Sequence, residues 1–333
     1  MDSDTPSEIR NSRIAGSAMP CACTIAGSDS GGGAGIQADL KTFAAFDVWG
    51  CSVITSLTAQ NPCTVLGIEN ASADFVGLQM KAVAGDFKIA AYKTGMLPTE
   101  DIIRTVAANL PRNVPTVIDP VMISTSGSRL TDEDAGEALR TKLLPLAKIV
   151  TPNIPETCEL SGIDLGRNPS ETEIANAAEV ILGSGAEYVL IKGGHLSGDC
   201  SSDYLISKYR EDRGEGVAAG DAVRYGWGEG VVSAGIPHDS RCRMEIKTGI
   251  NGLNIVRYTG PRFSGDIHGS GCCLSSAIAA CLAKGYTAEK ACASAKVFIG
   301  DSIAGAYISE SKRYSINPGH PKKSPEYPTN SDK

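Results

Sequence analysis

The sequence predicts an α/β protein built on a mostly parallel sheet that is covered by helices on both faces. Short apolar, β-branched segments alternate along the chain with amphipathic segments of about 10 to 15 residues, which is the pattern of repeated strand–helix–strand units. Strand segments such as VLI at 189–191 are apolar throughout, which is typical of strands buried on both faces. No repeat or linker separates the units, so we expect one domain.

The elements are predicted in chain order from apolar periodicity and capping residues. A strand at 23–27 precedes a helix at 34–46, in which Ile36, Leu40 and Phe43 share one face. A strand at 51–59 follows, and Ser72 and Thr99 are predicted N-caps of the next two helices. The remaining strands are predicted at 90–96, 115–121, 148–153, 187–194 and 253–258, and the remaining helices at 131–144, 172–183, 269–284 and 287–308.

The ends of the chain and one internal segment differ in composition from the rest. Residues 1–20 are polar and have no apolar core of a secretory signal, and residues 311–333 are rich in proline, so we expect disordered tails around a domain at 21–310. Residues 209–249 are glycine-rich, charged and aperiodic. We interpret them as a tolerated surface insertion, with a lid or a partner surface as the alternatives.

Composition excludes several classes of protein. A net charge of −7 and an aromatic content of 5% argue against nucleic-acid binding. No segment approaches the roughly 18 apolar residues of a membrane span. The eleven cysteines are scattered and odd in number, which favours the reducing cytoplasm.

The glycine-rich stretch AGSDSGGGAGIQAD at 26–39 predicts a ligand loop between a strand and a helix, with an ordinary tight turn as the alternative. It contains neither a dinucleotide-binding GxGxxG nor a phosphate-binding GxxxxGK[ST]. A nucleotide-dependent oxidoreductase is therefore disfavoured. Asp39, which follows the glycines, is predicted to be buried.

Polar side chains follow several predicted strands. Ligands of open α/β sheets bind where the strands end, so these side chains are expected to converge. An amide at Gln60 can recognise a heteroaromatic edge, and Lys192, before Gly194, suits phosphate binding. Asp119 and Glu156 carry the oxygens that Mg²⁺ prefers.

The stretch HGSGCC at 268–273 places a thiol at the start of a helix. The N–H groups of Gly269, Ser270, Gly271 and Cys272 are expected to form an anion hole for a transferring phosphoryl group. A helix N-terminus lowers the pKa of a thiol, so Cys272 is predicted to act as a general base. A buried structural cysteine is the alternative.

Together these motifs resemble the hydroxymethylpyrimidine/phosphomethylpyrimidine kinases of the ribokinase-like superfamily. The resemblance runs from about residue 23 to about 308, outside the insertion, and rests on AGSDSGGGAGIQADLKTF, CSVITSLTAQN, KTGML, TPNIPE, KGGH and HGSGCCLSSAIA. It implies a ribokinase-like three-layer α/β/α sandwich with a mostly parallel central sheet. Ser270 stands where threonine is common in the family, and Thr58 where an aliphatic residue is common.

The resemblance also implies roles for individual residues. The predicted substrate-binding residues are Gly27, Asp39, Gln60, Met96 and Val121, and the predicted phosphate- or ATP-binding residues are Asn153, Lys192, Gly194 and Lys296. Asp119 and Glu156 are predicted to hold Mg²⁺, and Cys272 is the implied base.

The implied activity is phosphorylation of 4-amino-5-hydroxymethyl-2-methylpyrimidine, and of its monophosphate, by ATP and Mg²⁺ in thiamine biosynthesis. A pyridoxal kinase and a non-catalytic pyrimidine sensor are the alternatives. We expect a small-molecule substrate, no nucleic-acid or membrane partner, and, by family analogy, a homodimer.

Overall fold

The computed structural model describes residues 19–122, 134–194, 200–208, 223–224, 242–250 and 252–322. Its main strands are β1 (Cys21–Asp29), β2 (Trp49–Asn61), β3 (Thr64–Asn70), β4 (Ile89–Thr94), β5 (Thr116–Ile118), β6 (Ile149–Val150), β7 (Tyr188–Ile191), β8 (Cys200–Lys208), β9 (Val223–Arg224), β10 (Arg243–Ile250) and β11 (Leu253–Pro261). Within the described ranges these eleven strands form one sheet in the order β3-β2-β1-β4-β5-β6-β7-β8-β11-β10-β9.

The middle of the sheet is parallel and its two sides are antiparallel. Strands β2, β1, β4, β5, β6 and β7 are parallel neighbours, as the sequence predicts. On one side the sheet ends in the antiparallel β2–β3 hairpin. On the other side β7 is followed by four strands joined by antiparallel pairs, in the order β8, β11, β10 and β9. The carboxyl ends of the parallel strands therefore share one edge.

Helices cover both faces of the sheet. They are α1 (Gly35–Ala45), α2 (Ala73–Asp86), α3 (Glu100–Asn109), α4 (Ala135–Ala138), α5 (Ile154–Ser161), α6 (Glu171–Gly183), α7 (Ser270–Ala283) and α8 (Ala288–Ala304). Helices α2 to α6 contribute to one apolar core, whereas α1, α7 and α8 contribute to the other. The predicted three-layer α/β/α arrangement is confirmed.

Most of the predicted elements are present, and the differences have local causes. Ser72 and Thr99 cap their helices as predicted, and Thr287 caps α8. Each of the three side chains accepts the backbone N–H of the residue three positions later. The predicted start of α6 at residue 172 is one residue late, because Ser170 is the N-cap and forms a reciprocal capping box with Glu173.

The predicted helix over 131–144 differs most from the structure. Its predicted start at Thr131 lies outside the described residues. The described part is the short α4, followed by a π-helical turn over 139–143 and a 3-10 turn over 144–146. Pro145 has no N–H to continue the ladder, which accounts for the change of helix type.

Two predicted domain boundaries are also wrong. Arg243–Ile250 is a sheet strand paired with β11, so the predicted insertion at 209–249 ends before 243; most of its other residues lie outside the described ranges. The chain beyond 310 is described to residue 322 and contains β14 (Tyr314–Ser315) with the buried side chain of Ile316. Strand β14 joins β12 (Ile267–His268) and β13 (Tyr307–Ile308) in a small second sheet. No described helix is long and apolar enough to cross a bilayer.

Candidate active site

A cleft of about 550 Å³ lies at the carboxyl edge of the parallel strands. With one exception, Asp39, every predicted site residue lines it: Gly27, Gln60, Met96, Asp119, Val121, Asn153, Glu156, Lys192, Gly194, Gly269, Ser270, Gly271, Cys272 and Lys296. Residues at the ends of six parallel strands, at the starts of α5 and α7 and in the middle of α8 are thus brought together, as expected for an open α/β sheet.

The N-terminus of α7 opens into this cleft. Its N-cap, Gly269, has φ +83° and supplies no side-chain cap, so the first N–H groups of the helix are left to the cleft. A Cβ atom at Gly269 would lie 1.7 Å from the carbonyl oxygen of Gly33, so only glycine fits between the two loops. A Cβ atom at Gly271 would lie 3.4 Å from Lys192 Nζ, so this turn of α7 faces the lysine.

The Cys272 thiol is more weakly acidic than the sequence predicts. Burial raises its pKa to about 11, against the opposing effects of the Lys93 ammonium and of a hydrogen bond from the Gly35 N–H. The carboxylates of Asp39 and Asp119 raise it further. The thiol is therefore protonated at neutral pH in the ligand-free protein, and the predicted lowering of its pKa by the helix is wrong.

Asp39 lies beneath the cleft and does not line it. Its side chain is fully buried and pairs with Lys93, whose Nζ atom is 2.8 Å from Oδ2 and 3.0 Å from Oδ1. The hydroxyl groups of Thr24 and Ser276 donate to the same carboxylate at 2.5 and 2.6 Å. The sequence predicts that Asp39 binds substrate, but from this position its side chain cannot contact a molecule in the cleft directly.

The buried Lys93–Asp39 pair lies below the first turn of α7. Ser276, which binds Asp39, follows Cys272 by one helical turn and is therefore on the same face of the helix. Lys93 lines the cleft together with Cys272, and Asp39 holds the pKa of Lys93 above its usual value although burial opposes this. Sequence reasoning missed Lys93, although a lysine inside the apolar strand AAYKT was a signal that a buried counter-ion was needed.

The glycine-rich loop binds an anion of the protein itself. The Asp29 carboxylate accepts hydrogen bonds from the N–H groups of Gly31, Gly33 and Ala34, at 2.8, 3.1 and 2.8 Å. From the sequence we interpret this loop as a ligand loop. In the structure, however, these three N–H groups are occupied by Asp29 and are not available to a ligand. His268 Nε2 lies 2.9 Å from Asp29 Oδ2, and sequence reasoning identified neither of these two residues as part of the site.

One end of the cleft combines an amide with an apolar wall. The Gln60 side-chain nitrogen lies 3.3 Å from His268 Nε2, and the Gln60 backbone is held by the Ser30 hydroxyl at 2.8 Å. A Cβ atom at Gly27 would lie 3.2 Å from the sulfur of Met96, so the glycine leaves room for this side chain. The Thr58 hydroxyl donates to the Ser28 carbonyl at 2.8 Å and is not free for substrate.

A lysine between two carboxylates forms the other end of the cleft. Lys192 Nζ lies 2.9 Å from Asp119 Oδ1 and 3.6 Å from Glu156 Oε2. Burial raises the pKa of Glu156 to about 7 although Lys192 opposes this, whereas Lys192 and Lys93 hold the pKa of Asp119 low against the effect of burial. Asn153 caps α5: its side-chain oxygen accepts the Glu156 N–H, and the Glu156 carboxylate accepts the Asn153 N–H, which fixes the position of the carboxylate.

Lys296 and Gly194 lie at the far side of the same end. Lys296 Nζ is 2.8 Å from Asp203 Oδ2 and 3.1 Å from the Ser201 hydroxyl. Asp203 also accepts the Gly193 N–H at 2.9 Å, so it connects the lysine of α8 to the loop after β7. Asp203 is a further site residue that the sequence did not indicate.

Known proteins resemble this chain over most of its length. The sequence pattern of the phosphomethylpyrimidine kinase family matches residues 29–218 and 229–317. A hydroxymethylpyrimidine/phosphomethylpyrimidine kinase of Rhizobium meliloti is 39% identical over 287 residues, which are 86% of this chain and 91% of that protein. The predicted family is therefore confirmed.

Solved structures agree with this assignment. Phosphomethylpyrimidine kinase from Clostridium difficile has a TM-score of 0.62 at 35% identity and covers 84% of this chain and 97% of its own. An ADP complex of Bacillus subtilis pyridoxal kinase has a TM-score of 0.70 at 30% identity, over 91% of this chain and 98% of that one. With the predicted ribokinase-like fold and these relatives, the chain belongs to the phosphomethylpyrimidine kinase family.

Proposed function

We propose that this chain uses ATP to phosphorylate 4-amino-5-hydroxymethyl-2-methylpyrimidine and then its monophosphate, as a step of thiamine biosynthesis. The observation that carries the proposal is the position of Cys272, in the uncapped first turn of α7 and in one cleft with the amide of Gln60 and the ammonium of Lys192. Family membership supports the same activity.

In this proposal the acceptor ring binds between Gln60 and Met96, with its hydroxymethyl group directed at Cys272. The Cys272 thiol, which is protonated in the ligand-free protein, first loses its proton to solvent. The resulting thiolate accepts the hydroxyl proton, so an O–H bond breaks and an S–H bond forms while the oxygen bonds the γ-phosphorus and the bond to ADP breaks. The N–H groups of Ser270, Gly271 and Cys272 face the charge on the transferring group. Lys192 neutralises the phosphates of the nucleotide.

Asp119 and Glu156 fit the requirements of a magnesium site that is completed by a nucleotide. No described group of three or more His, Cys, Asp or Glu side chains could hold a metal by itself. Two carboxylates together with substrate phosphates and water are, however, the donor set that Mg²⁺ commonly uses. Bound Mg²⁺ would neutralise charge on the transferring phosphoryl group, and Lys192 balances the same carboxylates in the ligand-free protein.

The proposal is tested by ADP release with Mg·ATP, offering hydroxymethylpyrimidine or pyridoxal separately to the wild type, to Cys272→Ala and to a control, Cys63→Ala. Cys63 is exposed and does not line the cleft. We expect turnover of the pyrimidine that falls at least about 100-fold in Cys272→Ala, with ADP binding and the Cys63→Ala control unchanged. Equal turnover in Cys272→Ala would refute the assignment of the base.

Pyridoxal kinase is the second candidate, because the solved pyridoxal kinase from Bacillus subtilis shares the fold over nearly the whole chain. Faster turnover of pyridoxal than of the pyrimidine would favour it. Absence of turnover with either alcohol, while ligand still binds, would favour a sensor. Retention of Cys272, Lys192 and Glu156 in the cleft speaks against a protein without catalytic activity.

We further propose that the protein works in the cytoplasm, since all eleven cysteines are free. A homodimer is also proposed, supported by apolar side chains that the sheet edge and α2 expose, among them Leu66 and Leu78. Sedimentation of the wild type and of Leu66→Ser would test the dimer. A monomeric wild type would refute it.

A further inference from the structure

His268 lies directly before the proposed anion hole and contacts the glycine-rich loop on the opposite side of the cleft. Its Nε2 atom is 2.9 Å from Asp29 Oδ2, and the two side chains are only 11% and 4% exposed. The same carboxylate receives three backbone N–H groups of residues 31–34. Asp29 therefore links the His268 ring to the backbone of the loop.

The backbone of His268 is held from its other side by the C-terminal segment. Strand β12, which contains His268, pairs in parallel with β14, and the Ile316 N–H donates to the His268 carbonyl at 2.9 Å. A Cβ atom at Gly33 would lie 2.8 Å from the His268 ring and 2.9 Å from the Ser315 hydroxyl. The glycine-rich loop, β12 and β14 therefore meet in direct contact, and a side chain at Gly33 would separate them.

The C-terminal segment is itself fixed to helix α8. The Asn317 N–H donates to the Ser302 carbonyl at 3.3 Å, and the Asn317 side-chain amide donates to the Gly305 carbonyl at 3.1 Å. The Lys322 N–H donates to the Asp301 carbonyl at 3.0 Å. The strand that holds His268 thus rests on the end of a helix and not on solvent.

We propose that His268 is a positioning residue for phosphoryl transfer, which fixes the acceptor loop at 29–34 relative to the anion hole at 269–272. The role of His268 in phosphoryl transfer rests on the proposed function, whereas the coupling of the two loops does not. The Gln60 side-chain nitrogen lies 3.3 Å from Nε2 of the same ring, as a packing contact, because the Nε2 proton is donated to Asp29. An in-line transfer needs reacting atoms about 3 to 3.5 Å apart, and a displacement of about 1 Å costs roughly 100-fold in rate.

The test compares His268→Ala, Asp29→Asn and the double variant with a control, His320→Ala, whose side chain is exposed. We expect each single variant to lower kcat roughly 100-fold, and the double variant to lose little more, because both changes break the same link. The dissociation constant of ADP should stay within about threefold of the wild type. Wild-type kcat in His268→Ala, or a double loss equal to the product of the single losses, would overturn the proposal.

Amide hydrogen exchange gives a second measurement that does not depend on turnover. Residues 30–34 should exchange at least about tenfold faster in His268→Ala and in Asp29→Asn than in the wild type and in His320→Ala. Unchanged exchange in His268→Ala would overturn the coupling even if kcat fell. Faster exchange in a protein that phosphorylates neither alcohol would support the coupling and count against the proposed function. If His268→Ala does not fold, His268→Leu, which fills the space but cannot donate to Asp29, is measured against the same criteria.

Discussion

Removing either member of the buried Lys93–Asp39 pair is expected to change the reactivity of Cys272 in opposite directions. The Lys93 ammonium stabilises a thiolate at Cys272, and the Asp39 carboxylate opposes it. Lys93→Met should therefore raise the pKa of Cys272, whereas Asp39→Asn should lower it from about 11. Asparagine keeps one oxygen that can accept from the hydroxyl group of either Thr24 or Ser276, and its NH₂ group can donate to the other hydroxyl.

The size of the change follows from Coulomb's law. Two unit charges about 6 Å apart interact by about 3 kcal/mol at an effective dielectric constant of about 20, which corresponds to about two pKa units. At pH 8 a fall of two units increases the thiolate fraction of a thiol such as Cys272 by about 100-fold. The intrinsic nucleophilicity of the thiolate falls by about tenfold over the same interval. Alkylation of Asp39→Asn should therefore be about tenfold faster than that of the wild type.

The assay is alkylation of the ligand-free protein by iodoacetamide between pH 7 and 10, with Cys272 followed by mass spectrometry of its peptide. Cys273 in the same peptide is fully buried and serves as an internal reference. Lys148→Met, which removes a lysine paired with Glu187 on the surface, is the matched control. Slower alkylation in both Lys93→Met and Asp39→Asn would refute the electrostatic argument and leave the pair a structural role alone.

Three further predictions concern the acceptor, the metal site and the anion hole. Cys272→Ala should slow phosphorylation of the alcohol about 10²- to 10⁴-fold but phosphorylation of the monophosphate less than about tenfold. The reason is that a phosphate acceptor is ionised near pH 7 and needs no base. Equal losses of the two rates, measured in separate steady-state assays, would contradict this. Glu156→Gln should raise the Tm of the ligand-free protein at pH 8 but not at pH 4. The pKa of Glu156 is raised from 4.5 to about 7 in the folded protein, so the stability associated with its neutral carboxyl is lost as the pH rises through that interval. The same variant should raise the Mg²⁺ concentration needed for half-maximal turnover, and an unchanged Mg²⁺ requirement would argue against a role of Glu156 as a ligand. Gly269→Ala should lower the free energy of unfolding by at least about 1–2 kcal/mol and remove most of kcat, because Gly269 has a positive φ and contacts Gly33. The control Gly136→Ala, at a residue with open space around it, should change neither urea unfolding nor turnover.

The convergence of the site residues was predictable because it follows from topology. Parallel strands place their carboxyl ends at one edge, so Gln60, Asp119 and Lys192 meet although they are far apart in sequence. The helix start at 270 was predictable from the glycines before it. These inferences depend on backbone direction, which apolar periodicity reveals.

The partners of buried charges were not predictable in the same way. The sequence predicts that Asp39 is buried, but only the tertiary structure, in which Asp39 of α1 meets Lys93 of β4, shows which residue neutralises it. The pKa of Cys272 was predicted with the wrong sign, because the helix N-terminus was considered and desolvation was not. The C-terminal boundary was placed too early, since two-residue strands such as Tyr314–Ser315 carry almost no periodic signal.

Because Asp29 occupies the N–H groups of the glycine-rich loop, the choice of the acceptor and the affinity for the nucleotide can depend on different parts of the site, although one loop often controls both. The N–H groups of Gly31, Gly33 and Ala34 are already committed to that carboxylate, and the proposed function places the binding of the nucleotide elsewhere, at α7, Lys192 and Lys296. Variation in the loop and in Gln60 can then change which alcohol is accepted without weakening the hold on ATP. A family built in this way can diversify its acceptors while keeping its phosphate donor, and engineered changes of acceptor would best begin on the same side of the cleft.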